Sequence, residues 1–207
     1  MEITPLFRLI SHWKRLRCAG CGYNVLIAYS CKGRGICPSC NTRRMVETAA
    51  HLVDHVFPQV PVRQWVLSFP KRLRYFLARD ADLLNRVLRI FLDSVEKALH
   101  SCCPNAPDNA RLGAVTFVHR FGSALNGNIH FHCCVIDGLF SSEGEDVRFD
   151  EAALTAEVIT TVQARVRERV LRLFKRRDLL SSDVVEAMRE WNHQGGFSLN
   201  ADVTVPA

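Results

Sequence analysis

Tyrosine is scarce in this sequence, with 3 among 207 residues, and so are long apolar runs. No stretch approaches the roughly eighteen consecutive apolar residues of a transmembrane helix, which argues against a membrane span. The opening MEITPLFRLISHWKRLR lacks both a long apolar core and a small-residue cleavage site, so it does not read as a signal peptide. Internal repeats and low-complexity tracts are also missing, which excludes a solenoid or a long linker. These absences together predict a cytoplasmic globular protein of one or two domains with enough apolar residues, 48%, to bury a core.

Acidic residues are unevenly placed. Residues 1–75 carry 12 Lys and Arg against 3 Asp and Glu, a net of +9, whereas the remainder is slightly acidic. A basic N-terminal third predicts a polyanionic partner at that end, with nucleic acid the first choice; a merely solvated basic face is the alternative. Of nine cysteines, five fall between Cys18 and Cys40, and the rest form the adjacent pairs Cys102-Cys103 and Cys133-Cys134. Adjacent cysteines do not readily bridge each other. A chain without a secretory signal is expected in a reducing compartment, so a disulfide framework is not expected.

The coarse pattern is α+β. A short basic helix is expected over residues 4–16. Residues 17–41 are rich in Cys and Gly and show no core periodicity. A helix over TRRMVETAAHLVDHVF with Thr42 as its cap follows, then a strand over 62–69 stopped by Pro70. Leu84, Val87, Leu88, Phe91, Leu92, Val95 and Leu99 recur at helical spacing and predict a helix over 80–102. Strands are expected at 113–121 and 129–136, with Asp137-Gly138 as a hairpin signal and a short strand pair in LFSSEGEDVRF. Helices over 151–177 and 182–191 and a terminal strand in FSLNADVTV complete the reading. The order predicts an α+β sandwich with a largely antiparallel sheet.

Two constellations carry chemistry. Cys18-x2-Cys21 and Cys37-x2-Cys40 each present two thiolates, and two such knuckles about sixteen residues apart suit a tetrahedral four-sulfur zinc site. Gly22 after the first knuckle and Pro38 inside the second fit tight turns. Cys31 is surplus and either replaces one ligand or packs as a thiol. Four sulfurs leave no open position, so this zinc is structural. Lys32, Arg34, Arg43 and Arg44 around it, and Lys71, Arg72 and Arg74 further on, are candidate phosphate contacts. Trp13, Tyr23 and Trp65 could stack on bases, although each suits a core equally well.

The second constellation is His130-Phe131-His132. In a strand, residues two apart share a face, so the two imidazoles project together while Ile129, Phe131, Cys133 and Val135 point the other way. Such a pair is a rigid half-site for a divalent metal, or simply two histidines with structural hydrogen bonds. His119, on the preceding strand, is a candidate third ligand. The Asp-His step of a His-x-His-x-Asp-His binuclear hydrolase is absent, since Cys133-Cys134 follows.

YSCKGRGICPSCNTRR, then FPKRLR, then VHRFGSALNGNIHFHCCVIDG resemble, in that order, the rolling-circle transposases of insertion sequences, the HUH-type two-tyrosine family that includes the ISCR elements. The resemblance implies a zinc-binding, basic DNA-docking module over 1–57 and an HUH-type core over 58–207, its antiparallel sheet packed by helices. It implies His130 and His132 as catalytic ligands of Mg²⁺ or Mn²⁺ and single-stranded element ends as the DNA partner. The enzyme is expected in the bacterial cytoplasm, on the nucleoid when DNA-bound. The attacking group in that family is a tyrosine on a helix beyond the terminal strand. Tyr23, Tyr29 and Tyr75 do not match that position, so the chain reads as a truncated transposase unable to form a phosphotyrosine alone. A non-catalytic zinc-containing DNA-binding or regulatory protein is the alternative, and a nuclease using water as nucleophile is a weaker third.

Overall fold

The computed structural model describes residues 13–28, 38–122, 126–144, 146–191 and 195–206. Cys31, Cys37, Lys32, Arg34, Tyr29 and most of the basic segment expected at 4–16 lie outside them. The described residues form two compact units that divide between Gln59 and Val60.

In the first unit, β1 (Trp13–Arg17) pairs antiparallel with β2 (Asn24–Ala28), from Trp13 opposite Ala28 to Arg17 opposite Asn24. The helix expected over 4–16 is therefore corrected at its end to a strand. An isolated short helix is marginal in water, whereas this segment is closed into a hairpin by the turn that follows it. In that turn the Gly22 N–H donates to the Cys18 carbonyl (3.0 Å) and the Cys18 N–H donates to the Tyr23 carbonyl (2.9 Å). Gly22 has φ +69°, a left-handed conformation that a side chain would strain. The helix α1 runs Pro38–His55. It begins four residues before the expected Thr42 cap, so Thr42 sits inside the helix. Pro38 opens that helix: its fixed φ and missing N–H suit the first helical turn.

The second unit contains β3 (Val62–Ser68), α2 (Lys71–Arg79), α3 (Ala81–Cys102), β4 (Ala114–Phe121), β5 (Gly127–Ile136), β6 (Gly138–Glu143), β7 (Asp146–Glu151), α4 (Ala156–Arg176), α5 (Ser182–Glu190) and β8 (Ser198–Val205). Its main sheet has the order β4-β5-β3-β8, antiparallel at every pairing. The fold is α+β. One sheet face carries the core. Trp65 and Leu67 of β3 and Ile129, Phe131, Cys133 and Val135 of β5 are buried against Leu73 and Leu77 of α2, Val87, Phe91 and Val95 of α3, and Val166, Val170 and Phe174 of α4. Burying each such side chain contributes roughly 1.5–3 kcal/mol before entropy is counted. Trp65 is thus a core residue and takes no part in base stacking.

Helix starts follow their caps. The Asp80 carboxylate accepts from the Leu83 N–H at 2.9 Å ahead of α3, and the Thr155 hydroxyl accepts from the Val158 N–H ahead of α4. Three expectations change. Residues 71–79 form a helix that the basic stretch KRLR concealed. α4 starts at Ala156, not 151, because 146–151 are taken by β7. Asp137-Gly138 is a corner and not a hairpin turn, since β5 lies in the main sheet while β6 pairs with β7 in a separate one. The Asp137 N–H donates to the Pro61 carbonyl (2.8 Å), and its carboxylate accepts from Arg63 Nε (3.0 Å) and Nη2 (2.6 Å). The same guanidinium donates from Nη1 to the Ala201 carbonyl on β8 at 2.9 Å. These bonds pin the corner to the two strands across the sheet.

Candidate metal centre

The sheet face opposite the core carries the histidines. His119 lies directly across from His130 in the β4–β5 register, and His132 is the next residue of β5 on the same face. Ring centroids are 4.3 Å apart for His119 and His132, which stack, and 5.0 Å apart for each of the other two pairs. One ring nitrogen from each lies within 4.8 Å of the others, a spacing at which three imidazoles can share one cation. The apolar alternation of β5 fixes this arrangement: Ile129, Phe131 and Cys133 anchor the strand in the core, so His130 and His132 must project away from it.

Neighbouring groups orient two of the rings. His130 Nδ1 lies 2.8 Å from the Asn128 carbonyl, which accepts an Nδ1–H and leaves Nε2 with a lone pair. The Gln64 side-chain amide on β3 lies 3.3 Å from His132 Nδ1. With its oxygen turned to that nitrogen, the amide would accept Nδ1–H and free Nε2 in the same way. Burial and the neighbouring imidazole of His130 push the His119 pKa below the ordinary histidine value; burial, His119 and His130 do the same to His132. Both effects favour the neutral, metal-binding form. Asn128, one pleat beyond His130 on this face, has a buried side-chain oxygen with no hydrogen-bond partner. A cation or its bound water would satisfy it. The donor set therefore fits a divalent metal.

Gln64 and Asn128 were not singled out from the sequence. Gln64 shares its strand face with Val66 and Ser68, and only the β3–β5 register reveals that this face is the histidine face.

In the first unit, Cys18 and Cys21 flank the turn between β1 and β2, and Cys40 sits in the first turn of α1. The backbone N–H of Cys21, then that of Gly20, then the Cys21 thiol lower the Cys18 pKa. Amides aimed at a sulfur stabilise its thiolate, the form that ligates zinc. Of the candidate phosphate contacts, Arg43 is paired with Glu47 at 2.7 Å, while Arg44 and Arg72 are exposed. Arg74 donates from Nε to the Phe69 carbonyl at 2.7 Å, and Lys71 lies one turn earlier on the same helix. Tyr23 is exposed; the ring of Trp13 is not among the described side chains.

Residues 11–69 match the family of the transposase zinc-binding domain, and residues 113–206 match a family described as a putative transposase. Each match covers less than half of the chain. These matches support a transposase of the IS91 type. The first takes in Cys18, Cys21, Cys31, Cys37 and Cys40; the second takes in all three clustered histidines. They support a zinc-binding domain and a transposase function, and transposase families generally bind DNA. No curated protein and no solved structure matches the chain. No helix among the described residues is long and apolar enough to cross a membrane.

Proposed function

We propose that this chain is the metal-binding and DNA-holding part of a rolling-circle, HUH-type transposase, with His119, His130 and His132 as ligands of one catalytic divalent cation. The observation that carries the reading is the convergence of these three side chains on one open sheet face. When bound there, the cation would polarise a DNA phosphate and offset the charge that develops during attack. His130 and His132 are held by a strand anchored on its far side, so they supply preformed geometry. Imidazole nitrogens suit transition metals better than Mg²⁺, which prefers oxygen ligands, so Mn²⁺ is favoured over Mg²⁺. In the first unit, Cys18, Cys21, Cys37 and Cys40 hold structural zinc, with Cys31 as the substitute ligand, and the basic residues around them dock DNA.

The attacking tyrosine is not among those of this chain in this reading. Tyr75 lies on α2, which packs against the core face of β5, opposite the histidines. By the family resemblance the attacking tyrosine stands on a helix beyond β8, outside these residues. Two measurements test the proposal: equilibrium dialysis with Mn²⁺, and incubation with labelled single-stranded oligonucleotides tiling the DNA beside the gene. Wild type should bind Mn²⁺ and the oligonucleotides without a covalent adduct, and His130→Ala with His132→Ala should lose the Mn²⁺. An adduct mapped to Tyr75 would overturn the assignment of the nucleophile. Mn²⁺ binding that ignores both substitutions, with DNA binding intact, would favour the non-catalytic DNA-binding protein.

A further inference from the structure

A second feature lies where the Phe121–Gly127 end of the β4–β5 pair meets α2, away from the histidine face. A groove of about 440 Å³ is lined there by Lys71, Arg74, Tyr75 and Arg79 of α2 and by Arg120 and Phe121 of β4. Its described lining contains four cations and no carboxylate. Both aromatic rings are unusually open: Tyr75 is 58% and Phe121 62% exposed. The Arg79 guanidinium lies over the Tyr75 ring, 3.9 Å from its centroid, and covers one of its faces. Arg120 donates to the Ala78 carbonyl at 3.3 Å, which ties the end of β4 to the helix.

The sequence explains the arrangement. Leu73 and Leu77 are buried, so helical spacing sends Lys71, Arg74, Tyr75 and Ala78 to a common outer side. An exposed ring backed by a guanidinium and bordered by unbalanced positive charge matches a ligand with flat π faces joined by phosphates. In duplex DNA those faces are stacked on one another and out of reach. In a single strand they are open.

We propose that this groove binds an unpaired DNA strand, with bases stacked on Tyr75 and Phe121 and phosphates drawn by Lys71, Arg74 and Arg120. It rests on the transposase reading for the identity of the polymer, but it is a separate site from the metal centre. It keeps a strand beside the sheet whether or not the histidines hold metal.

The test is fluorescence anisotropy on the full chain, without added divalent metal. The probe is a labelled mixed-sequence single strand of about a dozen nucleotides, a span within the usual site size, compared with its duplex. Tyr75→Ala and Phe121→Ala should each weaken single-strand binding about tenfold, the usual scale for losing one stacking ring. Tyr75→Phe should restore it, and duplex binding should not change. Lys71→Ala and Arg120→Ala should each lower the salt slope by about 0.7, the value for one single-strand phosphate contact. The His130→Ala, His132→Ala double variant should bind like wild type here while failing in Mn²⁺ dialysis, so the two readings fail separately. Unchanged single-strand affinity in both aromatic variants, equal losses on duplex, or a comparable loss in the histidine variant would each overturn the groove.

Discussion

Gln64 can present either an N–H or an oxygen to His132 Nδ1, and the choice fixes which nitrogen of that ring is left for a metal. Removing the amide leaves the ring geometry to chance without touching a ligand. Gln64→Ala should weaken Mn²⁺ binding by about tenfold, at the lower end of what such supporting contacts contribute, and His132→Ala should abolish it. Calorimetric titration with Mn²⁺ distinguishes the two. Equal loss in both would make Gln64 a ligand in its own right. On the core side of the same strand, burial pushes the Cys133 thiol up to about 11, opposed by its contact with the Thr116 hydroxyl at 3.0 Å. The sign follows from the raised folded value. Above the ordinary thiol value of 9.0 the unfolded chain ionises while the folded thiol keeps its proton, so stability falls as pH rises from about 9 to about 11. Cys133→Ala should flatten that part of the profile relative to wild type, read as urea midpoints at pH 7, 9 and 10. Parallel profiles would count against a buried thiol at this position.

Among the elements, the β5–β6 corner is the most exacting. A Cβ on Gly138 would collide with the Asp150 carbonyl and the Phe149 ring across the β6–β7 pair, so Gly138→Ala must push those strands apart. Asp137 is 5% exposed and bound by two nitrogens of Arg63. Truncating it leaves a guanidinium without its counter-ion, and Asp137→Ala should cost about 3–5 kcal/mol. The Arg63→Met, Asp137→Leu pair should recover much of that loss in denaturant titrations. No recovery in the pair would mean that the loss in Asp137→Ala comes from packing and not from the unpaired guanidinium. This corner also marks where sequence reading stopped. Strands β3, β4, β5 and β8 and helices α3 and α5 were legible because their apolar residues keep a clean period and caps or prolines mark their ends. Asp137-Gly138 has the residues of a hairpin turn, and only the distant Arg63 makes it a corner. The helix α2 was hidden because four basic residues in FPKRLRYFLAR mask the spacing of Leu73 and Leu77. The histidine pair was legible from strand alternation alone. His119, on the strand before, was a candidate third member, but its place across from His130, the groove and Gln64 depend on which strands are neighbours, and nothing local records that.

For the molecule as a whole, the two units differ in what holds them together. The second has a continuous apolar core running from Trp65 to Ala201. In the first, the described side chains of α1 are almost all exposed, Met45, Val46 and Val53 among them, and Leu52 is only half-buried. A helix of 18 residues with so little apolar cover has scant stability of its own. Small units of this kind fold around a metal, and the match to a zinc-binding domain points to zinc. Stripping zinc with a strong chelator should therefore unfold the first unit and spare the second. Hydrogen exchange read by mass spectrometry resolves the two: peptides from residues 38–55 should lose protection on chelation, and peptides from residues 81–102 should keep it. Restoring zinc, but not Mg²⁺, should bring the first set back. Protection of 38–55 that survives complete zinc removal would show that α1 is held by contacts other than the cysteines, and the zinc would then have to act on DNA docking and not on folding.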